Sequence, residues 1–157
     1  MPEKSHWTPA RGRQLKALFA TIPFPKFLGM RLEKLAAGEA RVALPATRTL
    51  RQYQGIVHGG ALAALADTAA TFAAMTLLPD GTDLVTIEFK INFLQAARGR
   101  TLAHGSIVRM GRRITVAEVK LFGRTRRQLL GTGTFTMLNF HSPSPPTAPK
   151  TRTRRKS

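Results

Sequence analysis

The chain has 157 residues, with 25 lysines and arginines against 8 acidic residues, a formal net charge of +17, and no cysteine. Hydrophobic residues make up 43% of it, enough to bury the core of one domain, which excludes global disorder. The missing cysteines exclude a disulfide framework, a thiolate nucleophile, an iron–sulfur cluster and cysteine-based zinc sites. No apolar run with a small-residue cleavage site opens the sequence, so a cytoplasmic location is expected.

In chain order, Arg11 to Ile22 places Leu15, Leu18, Phe19 and Ile22 at spacings of three and four, with Arg11, Arg13 and Lys16 elsewhere on the turn. This is the pattern of a short amphipathic helix packed on the domain, and Ile22-Pro23-Phe24-Pro25 ends it. Residues 1–26 are read as this helix and its lead-in. Strands are expected over Gly29 to Leu35 and Glu39 to Leu44, joined by a turn at Ala37-Gly38, with Pro45 to Gln54 as a loop. The alanine-rich stretch from Gly59 to Leu78, closed by Pro79-Asp80-Gly81, is a helix. Its length would suit a membrane span. Asp67 near its centre, the glycines and threonines in it, and the absence of a second span favour instead a soluble helix buried on nearly all sides by a sheet.

From Val85 to Phe93, apolar residues alternate with Thr86, Glu88, Lys90 and Asn92, which specifies a strand. Three more strands are expected at about Arg100 to Met110, Ile114 to Phe122 and Gln128 to Leu138, with turns at Gly111-Arg112 and Gly123 to Arg127. The order gives an α+β domain over residues 27–140, an antiparallel sheet curled around one central helix. Residues 141–157 carry four prolines, five basic residues and no acid, the composition of a disordered basic tail. The remaining residues keep 20 basic side chains against 8 acidic ones, a field that favours polyanions: nucleic acid, an acidic membrane surface, or coenzyme A. Neither a helix-turn-helix nor aromatics interleaved with the basic residues is present, so specific nucleic-acid binding is not expected.

Asp67 is the residue that needs a reason, because an isolated carboxylate in an apolar helix is costly unless paired or used. The positions three, four and seven residues away are Gly60, Ala63, Ala64, Ala70, Thr71 and Ala74, so its face of the helix is lined by small side chains with room for a ligand. A structural carboxylate bonded to Thr71 or to backbone is the alternative. At the helix entry, Gly59 and Gly60 expose backbone N–H groups at the positive end of the dipole, able to hold a carbonyl oxygen as it becomes an oxyanion. The four histidines, at positions 6, 58, 104 and 141, have no ligand spacing, so no metal is expected.

The run GIVHGGALAALADTA resembles the signature of the hot-dog-fold acyl-CoA thioesterases of the phenylacetate-degradation type, G-x-x-H-G-G with an acid nine residues after the histidine. The likeness extends over about Gly29 to Met137. It implies an acyl-CoA thioesterase that uses no cofactor, built as a homodimer or a dimer of dimers whose sites lie between subunits. Asp67 would be general base or nucleophile, Gly59 the main oxyanion donor with Gly60 beside it, and Thr86 the group that orients the attacking water. Where the family commonly has asparagine six residues before the histidine, this chain has Gln52, with Gln54 nearby. His58 would hydrogen-bond the turn before the helix, and Arg109, Arg112 and Arg113 would meet coenzyme A phosphates. The rival expectation is a hot-dog protein that binds such a ligand without turning it over.

Overall fold

The computed structural model describes residues 6–125 and 127–141, so the expected basic tail beyond residue 141 lies outside the described residues. The elements are α1 (Pro9–Thr21), α2 (Pro23–Phe27), β1 (Arg31–Ala36), β2 (Glu39–Leu44), a 3-10 turn (Arg48–Leu50), α3 (Gly59–Met75), β3 (Thr82–Phe93), β4 (Thr101–Met110), β5 (Ile114–Phe122) and β6 (Leu129–His141). The six strands form one antiparallel sheet in the order β1-β2-β4-β5-β6-β3, and α3 packs on its inner face. This is the sheet wrapped around a central helix that the sequence specifies.

Several boundaries move for local reasons. α1 starts at Pro9, two residues before the apolar periodicity, because the Thr8 hydroxyl accepts the Arg11 N–H and proline suits the first helical position. Pro23, expected only to end α1, also opens α2. α1 joins the common core through Leu15 and Phe19, the latter meeting Phe72 of α3 edge-on at 5.1 Å between ring centres. α3 stops at Met75, three residues earlier than its composition suggests. There the buried Thr76 hydroxyl donates to the Ala73 carbonyl at 2.6 Å and accepts the Gly38 N–H at 2.8 Å, while the Arg11 guanidinium donates to the Met75 carbonyl. One buried face of α3, including Leu65, Ala66, Ala69, Phe72 and Ala73, lies so close to the sheet that a Cβ on Gly105 would sit 2.6 Å from the Ala69 carbonyl oxygen. The opposite face, with Gly60, Ala63, Ala64, Asp67, Thr68 and Thr71, is only partly covered, so the helix is not buried on nearly all sides as expected.

β3 is not the unbroken alternation that its sequence suggests. Thr86 pairs with Met137 but Glu88 pairs with Thr136, leaving Ile87 as an extra residue in a β-bulge. Before the bulge the inward side chains are Leu84 and Thr86; after it they are Phe89, Ile91 and Phe93, with Phe89 stacked on the fully buried Phe135 at 5.2 Å. Thr86 therefore faces the helix, not the polar outer face to which strict alternation assigns it. β3 is an edge strand, and Val85, Ile87, Phe89 and Phe93 on it are each about half exposed. The other edge, β1, is half as long and carries exposed Arg31, Glu33 and Lys34.

Candidate active site

The bulge brings the Thr86 hydroxyl to Asp67, where it donates to Oδ1 at 2.6 Å. Thr71, the alternative partner on the same helix, does not make this bond. Asp67 Oδ2 has no hydrogen-bond partner among the described residues and faces the half-open side of α3. Burial raises the carboxyl above its ordinary value by penalising the charged form, and the Thr86 bond offsets part of that rise. A carboxylate of raised basicity with one free oxygen is suited to accepting a proton from water.

The entry to α3 is held from two sides: the His58 N–H donates to the Leu50 carbonyl and the Val57 N–H to the Ala97 carbonyl, both at 2.8 Å. His58 is the N-cap, and its Nδ1 accepts the Gly60 N–H at 2.9 Å. That bond satisfies the Gly60 donor internally. The Gly59 N–H has no acceptor among the described residues and stands at the positive end of the helix dipole. Phe93, which the sequence did not single out, lies beside it: a Cβ on Gly59 would meet the Phe93 ring at 3.4 Å.

In the loop before the helix, Gln52 donates through its amide to Gln54 Oε1, and Gln54 donates to the Tyr53 hydroxyl at 3.1 Å. The tight turn needs Gly55 at φ 77°, a conformation open to glycine. Tyr53 is 94% exposed. The glutamine pair thus sits in the loop that leads into α3 at Gly59.

The three expected arginines separate. Arg112 and Arg113 rim a cavity of about 890 Å³ at the far end of α3, floored by Leu77, Leu78, Met110 and Leu138, whereas Arg109 occupies an exposed position of β4 outside it. The turn that carries the pair is fixed by Asn139, which accepts from the Thr115 hydroxyl at 3.0 Å and donates to the Gly111 carbonyl at 2.9 Å. Among the described residues no cluster of metal-ligating side chains occurs, and no helix is long and apolar enough to cross a membrane.

One chain does not bring the acid and the oxyanion donor together. Gly59 and Asp67 are eight residues apart on one helix, about 12 Å along its axis, too far for both to touch one carbonyl group.

Comparison with known proteins agrees with the fold. The family profile described as Thioesterase superfamily matches residues 54–130. A Halobacterium salinarum protein named as an esterase is 36% identical over 100 residues, 60% of this chain and 66% of the relative, so the match spans about two thirds of that protein. A Thermoplasma volcanium protein with an esterase name is 30% identical over 112 residues, covering 71% of this chain and 84% of its own length. The medium/long-chain acyl-CoA thioesterase YigI of Escherichia coli is 29% identical over 116 residues, covering 64% and 75%. Among solved structures, a thioesterase family protein from Silicibacter pomeroyi superposes with a TM-score of 0.78 at 29% identity, over 84% of this chain and 99% of that one. With α3, β3, β4 and β5 inside the matched residues, the chain belongs to the thioesterase superfamily.

Proposed function

We propose that the chain is an acyl-CoA thioesterase whose site forms between two copies, Asp67 from one and the Gly59 N–H from the other. The observation that carries this reading is the Asp67 carboxylate, half-buried on the small-residue face of α3, with Oδ1 held by Thr86 and Oδ2 free. Asp67 takes a proton from water as the water oxygen bonds to the thioester carbonyl carbon. The carbonyl oxygen gains the negative charge and is held by Gly59 of the partner subunit. Collapse of this intermediate breaks the carbon–sulfur bond, and the proton on Asp67 passes to the departing sulfur, giving free acid and coenzyme A. The 12 Å between Asp67 and Gly59 within a chain supports the two-copy arrangement.

Coenzyme A as the carrier is supported by the basic charge, by Arg112 and Arg113 on the cavity rim, and by the name of the Escherichia coli relative. In this reading the two arginines hold phosphates while the acyl group lies against the alanines around Asp67, and Gln52 and Gln54 line the approach to the carbonyl. Thiol release from a panel of alkyl and aryl acyl-CoAs tests the proposal. Release that is lost in Asp67→Asn supports it; binding of acyl-CoA with no release from any panel member would make this a ligand-binding protein.

A further inference from the structure

We infer that the arginine-rich end of the molecule binds the phosphate backbone of nucleic acids without regard to base sequence, a function separate from thioester hydrolysis. Arg31, Arg48, Arg51, Arg98, Arg100, Arg124 and Arg127 come from four separate stretches of the chain. The fold gathers them at one end of the sheet, where β1, β4 and β6 begin and β2, β3 and β5 finish. There Arg31 pairs with Ala43, Leu44 with Thr101, and Phe122 with Leu102 and Leu129. The Val57 N–H bond to the Ala97 carbonyl ties the loop after Arg51 to the one that carries Arg98.

All seven arginines are exposed, and the one acid among them, Glu33, is paired with Arg100. The other six have no carboxylate partner among the described residues. Glu39, Asp80 and Asp83 lie toward the opposite end of the sheet, Glu88 and Glu118 midway along their strands, and Asp67 on α3. Uncompensated like charges repel one another, and a polyanion relieves that repulsion. Arg98 and Arg124 line one cavity of about 490 Å³ between the β3–β4 connection and the β5–β6 hairpin, together with Gln95, Gln128, Gly99 and Gly123. Its polar side chains are amides and guanidiniums with no carboxylate, a donor set suited to phosphate oxygens. A Cβ on Gly99 would meet nothing within 4 Å, so the cavity is open to an approaching chain. From β1 to the β5–β6 hairpin the arginines cross at least three strand spacings, about 14 Å. That span suits a run of phosphates better than the phosphates of one small ligand. Guanidinium contacts to phosphate position a strand without reading its bases, and they make affinity fall steeply with salt.

Fluorescence anisotropy of the full-length protein with labelled single strands of about 20 nucleotides, in two unrelated sequences, tests the inference. Both strands should bind with equal affinity, and log K should fall linearly as log salt rises. Arg98→Glu with Arg124→Glu should weaken binding at least about tenfold and flatten the salt slope by about 1.4, the value for two phosphate contacts on a single strand. Arg13→Glu with Lys16→Glu makes an equal change of net charge on α1 and should weaken binding less than about threefold. Equal losses from the two pairs, no binding at low salt, or full binding by Arg98→Glu with Arg124→Glu each overturn the inference. So does displacement of the strand by coenzyme A at matched phosphate concentration, which would make the cavity a cofactor subsite. Displacement by poly-glutamate at matched charge would make this end a docking face for acidic protein and overturns it too. All four substituted side chains are exposed, so melting temperatures should match that of the unmodified protein. The milder Arg98→Gln with Arg124→Gln should give a loss of the same sign, and its absence contradicts the assignment.

Discussion

Two faces of α3 are built largely from alanine and are put to different uses. On one, Ala66, Ala69 and Ala73 are fully buried and let the helix descend onto the sheet until only glycine fits at position 105. On the other, Ala63 and Ala64 flank Asp67 and all three are only partly buried. The first face is a packing device and the second is only partly covered. The difference between them comes from what stands opposite, since the residue type is shared.

Substitutions can break this contrast in order of effect. The largest lies on the packed face: Phe72→Ala removes a fully buried ring from the contact with Phe19 and should cost about 3–5 kcal/mol, read by urea unfolding. Asp67→Asn on the open face should lower turnover by about a hundredfold while the protein stays folded. Its stability should moreover rise at neutral pH. Burial holds the Asp67 carboxyl above its ordinary value, so its favourable contribution is present at acid pH and is lost as pH rises through the folded-state value. Asparagine carries no such penalty. Melting temperatures of the two proteins should diverge at pH 7 and approach one another toward pH 3; a lower melting temperature for the variant at pH 7 would contradict the sign.

Thr86→Val sharpens the contrast further, because it alters only the hydrogen bond on Asp67. About tenfold lower turnover is expected from a lost charged hydrogen bond. Activity needs the ionised carboxylate, so the acid limb of kcat/KM against pH should lie above the ordinary carboxylate range. In this variant it should move to higher pH still, since the lowering influence is gone. The smallest effect is expected at the far pole. Arg112→Ala with Arg113→Ala should raise KM about two- to fivefold with kcat unchanged, as for exposed charges that bind ground and transition states alike. Added salt should raise the KM of the unmodified enzyme and act less on this variant.

Much of this was legible in the residues. α3 announces itself through alanine and the Pro-Asp-Gly stop, and Asp67 through being the one charge within it. The strands follow from alternation and from the glycine turns. The last turn of α3 was not legible, because it is ended by Thr76 and Gly38, residues 38 positions apart in sequence. Nor was the loss of the Gly60 N–H to the His58 cap, since the spacing allows both a free and a satisfied donor. Arg109 looked equivalent to Arg112 and Arg113 because only three-dimensional placement separates a strand position from the rim of a cavity. Thr86 was named by likeness to relatives, but its direction was hidden. Val85, Ile87 and Phe89 keep a flawless period of two across a point where the backbone does not.

That hidden point changes how length variation in this strand should be read. Removing Ile87 would leave the composition of the apolar face nearly intact and would look, in a pairwise alignment, like a harmless single gap. It would also leave Thr86 opposite Met137 and facing Asp67, because Ile87 is the residue that the bulge holds outside the register, and alternation from Phe89 through Glu88 then reaches Thr86 on the inner face. What the extra residue does is let Thr86 and Phe89, three positions apart, share one side of the sheet, so that counting by twos from either of them misplaces the other.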